Sequence, residues 1–259
     1  MKRIYKTLII IALFINFSSI YPQSMLINIE DNYVKKINIV DKIIKEKSNY
    51  INIDVEIPQI IGLSNEEKEK DINKEILDWT NMWIKETKDT SEDIKPNIPY
   101  ELMARYTLTN NEEILSFYID YYQFSGGAHG ITTRNTYNID SEAGNEVMLK
   151  DLFKEGYDYR TYINNEISKQ ISKHPEYYFV GKEGFNGIKE KQSFYIRDNK
   201  IIIHFPYYEI APYVTGMPEF EIEMKKWRNE EMKNNKEVLL CKTSLLYKLF
   251  YKKSEKIFI

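Results

Sequence analysis

One cysteine, three histidines and ten glycines in 259 residues close off several kinds of chemistry at the outset. A lone Cys241 cannot form an internal disulfide framework or a cysteine-based metal cluster. His129, His174 and His204 stand 45 and 30 residues apart, with no ligand spacing of the HxxxH kind, so no local zinc motif exists. Ser125 precedes a pair of glycines, but FSGGAH is not the strand, nucleophile, helix elbow of a serine hydrolase. No lysine follows those glycines, which excludes a phosphate-binding loop. The sequence therefore calls for no cofactor and no metal. Long apolar runs are also missing: the uninterrupted stretch Leu8 to Ile15 is short of the roughly 20 residues a spanning helix needs.

That stretch follows a basic MKRIYK segment, the order of a secretory signal. No small-x-small pair stands cleanly before Met25, so residues 1–24 read as a signal peptide or an N-terminal anchor. Either way the body is expected to face outward. The formal charge of −3 conceals an asymmetry: residues 1–24 carry +3, residues 225–259 carry ten Lys/Arg against four Glu, or +6, and the remainder, 25–224, is left at −12. An acidic body favours a basic partner and argues against nucleic acid. The basic tail, with Leu239, Leu240, Leu245, Leu246, Leu249 and Phe250 among its lysines, reads as an amphipathic helix. It could pack on the acidic body, touch a membrane surface or stay disordered. Twenty-one tyrosines suit binding surfaces, and equally suit a coding bias toward Ile, Lys, Asn and Tyr.

Between the termini, period-2 alternation marks strands. YINIDVEIP is a half-buried strand that Pro58 is expected to stop, and the run from Val34 to Ile44 pairs with it as a hairpin. Ser64 with Glu67 reads as a capping box opening a helix, with Ile72, Ile76, Trp79 and Trp83 on its core face, that dissolves in the polar run 88–97. Tyr100 to Thr109 and Glu113 to Phe124 form two strands turning at Asn110 and Asn111. In the second, Leu115, Phe117, Ile119 and Tyr121 share one face, Tyr118, Asp120 and Tyr122 the other. Ile131 to Ile139 is a third strand. A helix follows over about 157–173, with Tyr159, Ile163, Ile167 and Ile171 as its stripe. Then come a long ordered loop (174–187), a hairpin around Asp198 and Asn199, and a closing strand from Glu219 to Met224. The class is α+β: antiparallel sheets with helices packed on one face, two modules in one compact body, 25–110 and 111–224.

Two loops concentrate unusual residues. QFSGGAHG holds Gly126, Gly127 and Gly130 with His129, so the backbone there turns sharply or passes close to something. His129 reads as a hydrogen-bonding pin for this loop or as a ligand contact; in a hydrolase it would act with Asp120, Asp140 or Glu209. In FPYYEIAPYVTGMP, Pro206, Pro212 and Pro218 stiffen the chain while Tyr207, Tyr208 and Tyr213 offer aromatic bodies. This is the composition of a preorganised binding loop, or of a buried aromatic corner.

Taken together, YYQFSGGAHGITTRNTYNID, MLKDLF, FPYYEIAPYVTG and EFEIEM resemble the paired outer domains of RsiV-type, lysozyme-sensing anti-sigma factors, which also precede the catalytic domain of PdaC-type peptidoglycan deacetylases. The resemblance covers roughly residues 34–224, the first module being matched by VEIPQIIGL and the helix after it. It implies a non-enzymatic binding module whose partner is a basic protein such as lysozyme, or the cell-wall glycan. Its Pro-x-Tyr element falls on Pro206 and Tyr208, so the implied binding set is Gly126, Gly127, His129, Gly130, Pro206, Tyr208, Pro212 and Tyr213. Only six residues precede the apolar run and the last 35 contain no histidine, so neither sigma-factor retention nor deacetylation is expected.

Overall fold

The structure, a computed structural model, describes residues 37–224. The expected signal or anchor and the basic tail lie outside them. Among the described residues, eight strands and two long helices make an α+β fold of two sheets. The first sheet has the order β1 (Asn38–Lys47), β2 (Ile51–Ile61), β3 (Tyr100–Asn111), β4 (Ile114–Phe124), β5 (Ile131–Asp140). All its pairs are antiparallel except β2 with β3, which run parallel over five residues and are joined by the crossover helix α1 (Glu66–Ile94). The sheet includes residues on both sides of position 110. The second sheet is β6 (Phe194–Arg197), β7 (Lys200–His204) and β8 (Glu219–Glu223), antiparallel throughout, with α2 (Tyr159–Ile171) packed on it.

The alternation in β4 explains the layering. Leu115, Phe117, Ile119 and Tyr121 point to one face and are buried with Val55, Leu102 and Ile76 of α1. Ser116, Tyr118 and Asp120 point to the other face, toward the second sheet. There the Ser116 hydroxyl accepts a hydrogen bond from the Ile196 amide at 2.8 Å, and the Tyr118 ring lies 5.0 Å from that of Tyr195. Asn138 of β5 adds a bond from its amide to the Phe194 carbonyl. A buried polar seam of this kind costs little only because each member is paired.

Several local expectations need correction. Pro58 does not stop its strand: β2 continues to Ile61, because its pairing with β3 ends at Val55 and proline then needs only one neighbour. The helix is capped by Asn65, whose side chain accepts from the amides of Glu67 and Lys68, and not by Ser64. It runs to Ile94, further than its apolar residues suggest, ending where Lys95 takes a left-handed conformation. Its sheet-facing positions beyond Ile76 include Thr80, Thr87 and Ser91, which satisfy their hydroxyls on the helix's own carbonyls. Trp79 is left at the rim, 37% exposed. The β3–β4 turn falls at Glu112 and Glu113; Asn110 and Asn111 stay in the ladder after a bulge at Thr109, their side chains bonding the carbonyls of Ile114 and Ile37. The Asp198–Asn199 hairpin forms as expected, both residues at positive φ as a type I′ turn requires. Ile163 and Ile167 are the buried stripe of α2.

Candidate functional site

The two unusual loops meet. One joins β4 to β5 over 125–130, the other joins β7 to β8 over 205–218, and they meet at one end, where a side chain of β5 is tied to the first residue of β8. The clamp is Arg134, whose side chain is 9% exposed. Its guanidinium makes a two-pronged pair with Asp120 at 2.6 and 2.7 Å, reaches Glu219 at 2.5 Å, and lies 3.7 Å above the Tyr118 ring. Burial alone would favour its neutral form; the Asp120 carboxylate outweighs that and holds it charged.

Gly126 and Gly127 have φ of +87° and +97°, which only glycine adopts without strain. Gly130 serves differently: a Cβ there would collide with the Tyr122 ring and stand 2.5 Å from the Gln123 carbonyl oxygen. With no side chain in the way, the Gly130 carbonyl receives the Tyr213 hydroxyl from the opposite loop at 2.9 Å. His129 Nδ1 lies 3.0 Å from the same oxygen and donates to it in the tautomer protonated there. The His129 ring also stacks on Tyr213, with centroids 4.1 Å apart.

Tyr213 is the hub of the second loop. Tyr207 stacks on it at 4.7 Å and Tyr208 at 5.8 Å, while burial and then Tyr207 raise its hydroxyl above the ordinary tyrosine range. Pro212 precedes the short turn that carries Tyr213, Pro206 starts the tight bend before Tyr208, and Phe205 closes the loop neck by donating to the Pro218 carbonyl. Tyr208 has φ +64°, a conformation a bulky residue adopts only at a cost of about 1–2 kcal/mol. It is nevertheless 52% exposed, and Val214 is 90% exposed. The Thr215 hydroxyl donates to the Tyr177 carbonyl and the Phe179 amide to that of Ile210, which brings exposed Tyr177 and Val180 beside the same loop. The result is an aromatic column on the surface with an apolar fringe.

Sequence reading named His129, Tyr208 and Tyr213, and the fold brings them together with Gly130. It missed Tyr122, Tyr177, Val180 and Val214 as neighbours, and Arg134 as the clamp. Nothing local marks them, since exposure and contact across loops are tertiary properties. The carboxylates considered for a hydrolase are engaged elsewhere: Asp120 with Arg134, Asp140 with the amides of Glu142 and Ala143, Glu209 with Lys189 at 2.8 Å. His204 is enclosed at the end of β7, and neither ring nitrogen has a hydrogen-bond partner among the described residues.

Relatives place the chain. Residues 44–132 match the family model described as deacetylase PdaC, and residues 150–225 match a protein family of unknown function, DUF3298. The anti-sigma-V factor RsiV of Bacillus subtilis is 30% identical over 200 residues, covering 73% of this chain and 68% of RsiV. The chain belongs to the RsiV family of paired PdaC and DUF3298 domains. The peptidoglycan-N-acetylmuramic acid deacetylase PdaC of the same organism is 30% identical over 149 residues, but this RsiV-family chain spans only 31% of its length. The fold is shared with a crystal structure of a DUF3298 member from Bacteroides fragilis, at a TM-score of 0.57 and 16% identity, covering 75% of this chain and 93% of that one. The glycine loop thus lies in the PdaC match and the Tyr213 loop in the DUF3298 match, so His129 of the aromatic column comes from the first and its three tyrosines from the second.

Proposed function

We propose that this protein is an outward-facing, non-enzymatic binding module, secreted or envelope-attached, whose ligand is a basic cell-wall-active protein such as lysozyme. The observation that carries this reading is the surface column of His129, Tyr213, Tyr207 and Tyr208, with His129 and Tyr208 exposed, the other two half-buried, and exposed Val214 beside it. A contiguous aromatic and apolar patch on a polar surface is typical of protein-binding sites, and aromatic rings held in place lose little entropy on contact. The charge of −12 on residues 25–224 steers a cationic partner toward it. The resemblance to lysozyme-sensing outer domains names the partner class, and membership of a family with an anti-sigma factor agrees with a role in recognition.

The test is a titration of the purified chain with lysozyme at low ionic strength, where steering is strongest. A complex is expected, and Tyr208→Ala is expected to weaken it by about 30-fold, the scale of a hot-spot residue, without loss of thermal stability. No complex at low salt would sink the reading. Cosedimentation with purified peptidoglycan but not with lysozyme would transfer the face to the wall glycan.

A further inference from the structure

Two edges bound the five-stranded sheet, and they are built differently. β1 carries Asp41, Lys42, Lys45, Glu46 and Lys47 within ten residues, the charged cover with which proteins keep an edge from pairing. β5 reads ITTRNTYNID, with no lysine and no proline. Its one cation, Arg134, is turned inward to Asp120 and Glu219. The direction of its backbone groups follows from two bonds: the Val147 amide donates to the Asn138 carbonyl, and the Asp140 amide to the Asn145 carbonyl. Even-numbered residues of β5 therefore aim their amides and carbonyls away from β4. The 140–147 turn uses those at the far end. The outward groups of Thr132, Arg134 and Thr136 have no backbone partner among the described residues.

A groove of about 290 Å³ follows this edge along residues 134–139, walled by Glu75 of α1 on one side and Glu146 and Ser193 on the other. Glu75 and Glu146 make no ion pair among the described residues. Next to Glu75 the same helix presents Asp71, and Asp78 paired with Lys74, around exposed Trp79 and Met82. An open strand edge between acidic walls selects an extended, lysine-bearing peptide.

We propose that the basic segment 225–259 of this chain docks on that edge, adding a short strand to β5 with lysines against Glu75 and Glu146. Its ten Lys/Arg against four Glu complement the groove. Its 35 residues, fully extended, reach about 115 Å, ample for any point on a domain of this size. Tethering supplies an effective concentration in the millimolar range, so modest contacts suffice. A second copy is the poorer occupant, because it would bring another −12 body and a second Glu75 and Glu146 to the same place. Docked, the segment covers the one undefended edge of the sheet.

Cys241, the chain's lone cysteine, lies within this segment and accepts a spin label without mutagenesis. In the full chain the label is expected to broaden the amide resonances of Thr132, Arg134 and Thr136, and those amides are expected to exchange at least tenfold more slowly than in the double variant Glu75→Lys, Glu146→Lys. That variant leaves the backbone edge intact, and an unchanged melting temperature confirms its fold. Thr136→Pro, which removes one outward amide, is a second route to the same release. Equal exchange in all three proteins overturns the proposal. So does broadening that appears only between molecules, in mixtures of labelled and isotope-enriched chains.

Discussion

Lowering the pH from 7 to 5 is expected to cost the folded chain about 2 kcal/mol through one side chain, His204. The ring is enclosed at the end of β7 with neither nitrogen hydrogen-bonded among the described residues. Burial, and then the nearby Arg134 guanidinium, push its pKa down from 6.5 to about 4, against smaller opposing effects of Glu219, the Phe205 backbone and Asp120. The folded state thus keeps it neutral until about pH 4, whereas in the unfolded chain it takes up a proton near 6.5. Between those values the unfolded state binds more protons, so stability falls as pH falls. Integrating the two titrations gives a loss of about 2 kcal/mol by pH 5 and about 3 kcal/mol by pH 4. The carboxylates whose pKa the fold lowers, Asp54, Asp158 and Glu221, stabilise above their unfolded values of 3.8 to 4.5 and lose that contribution below them, so the interval from 7 to 5 isolates the histidine. Urea unfolding at pH 7, 6 and 5 measures the slope, and His204→Leu is expected to remove this contribution to it. A proton titration of the His204 ring by NMR with a midpoint near 6.5, or an identical pH dependence in the leucine variant, would refute the reasoning.

Three further outcomes follow from the site. Arg134→Ala leaves Asp120 and Glu219 facing each other without their shared cation; unfolding is expected to become easier by about 3–5 kcal/mol, whereas Asp120→Asn with Glu219→Gln in the same background recovers part of it, as denaturant midpoints would show. Gly130→Ala drives a methyl into Tyr122 and the Gln123 carbonyl, and is expected to cost about 1–3 kcal/mol and to loosen the Tyr213 hydroxyl contact, readable as faster flipping or a shifted resonance of that ring. Tyr208→Gly relieves the left-handed strain and is expected to raise stability by about 1 kcal/mol while weakening lysozyme binding, opposite signs that separate a binding residue from a structural one.

How far the sequence could be read depended on whether a signal was local. Period-2 alternation placed the strands and the two faces of β4, because side-chain direction in a strand is set by residue parity alone. The Asp198–Asn199 turn was legible for the same reason, its chemistry lying within two residues. Pro58 misled because proline is barred only where its missing amide would face a paired strand, and a strand's neighbours are not written beside it. The Asn110–Asn111 turn moved because a bulge shifted the register, and the asparagine side chains found more distant carbonyls. The length of α1 was underestimated because threonine and serine can face a sheet when their hydroxyls bond back to the helix.

By itself the sequence determined the class of the fold, the spacing of its elements and the two loops where glycine, proline and tyrosine collect. It could say that the chain turns sharply or passes close to something at Gly126, Gly127 and Gly130 and that Pro206 and Pro212 stiffened a tyrosine-bearing segment, since these are properties of single residues. Only the tertiary structure decided that the two loops share one end of the molecule. That depends on Arg134 meeting Glu219 across 85 positions of chain and on the Tyr213 hydroxyl reaching the Gly130 carbonyl across 83. Such pairings follow from how the two sheets pack, a property of the whole chain and not of any segment of it.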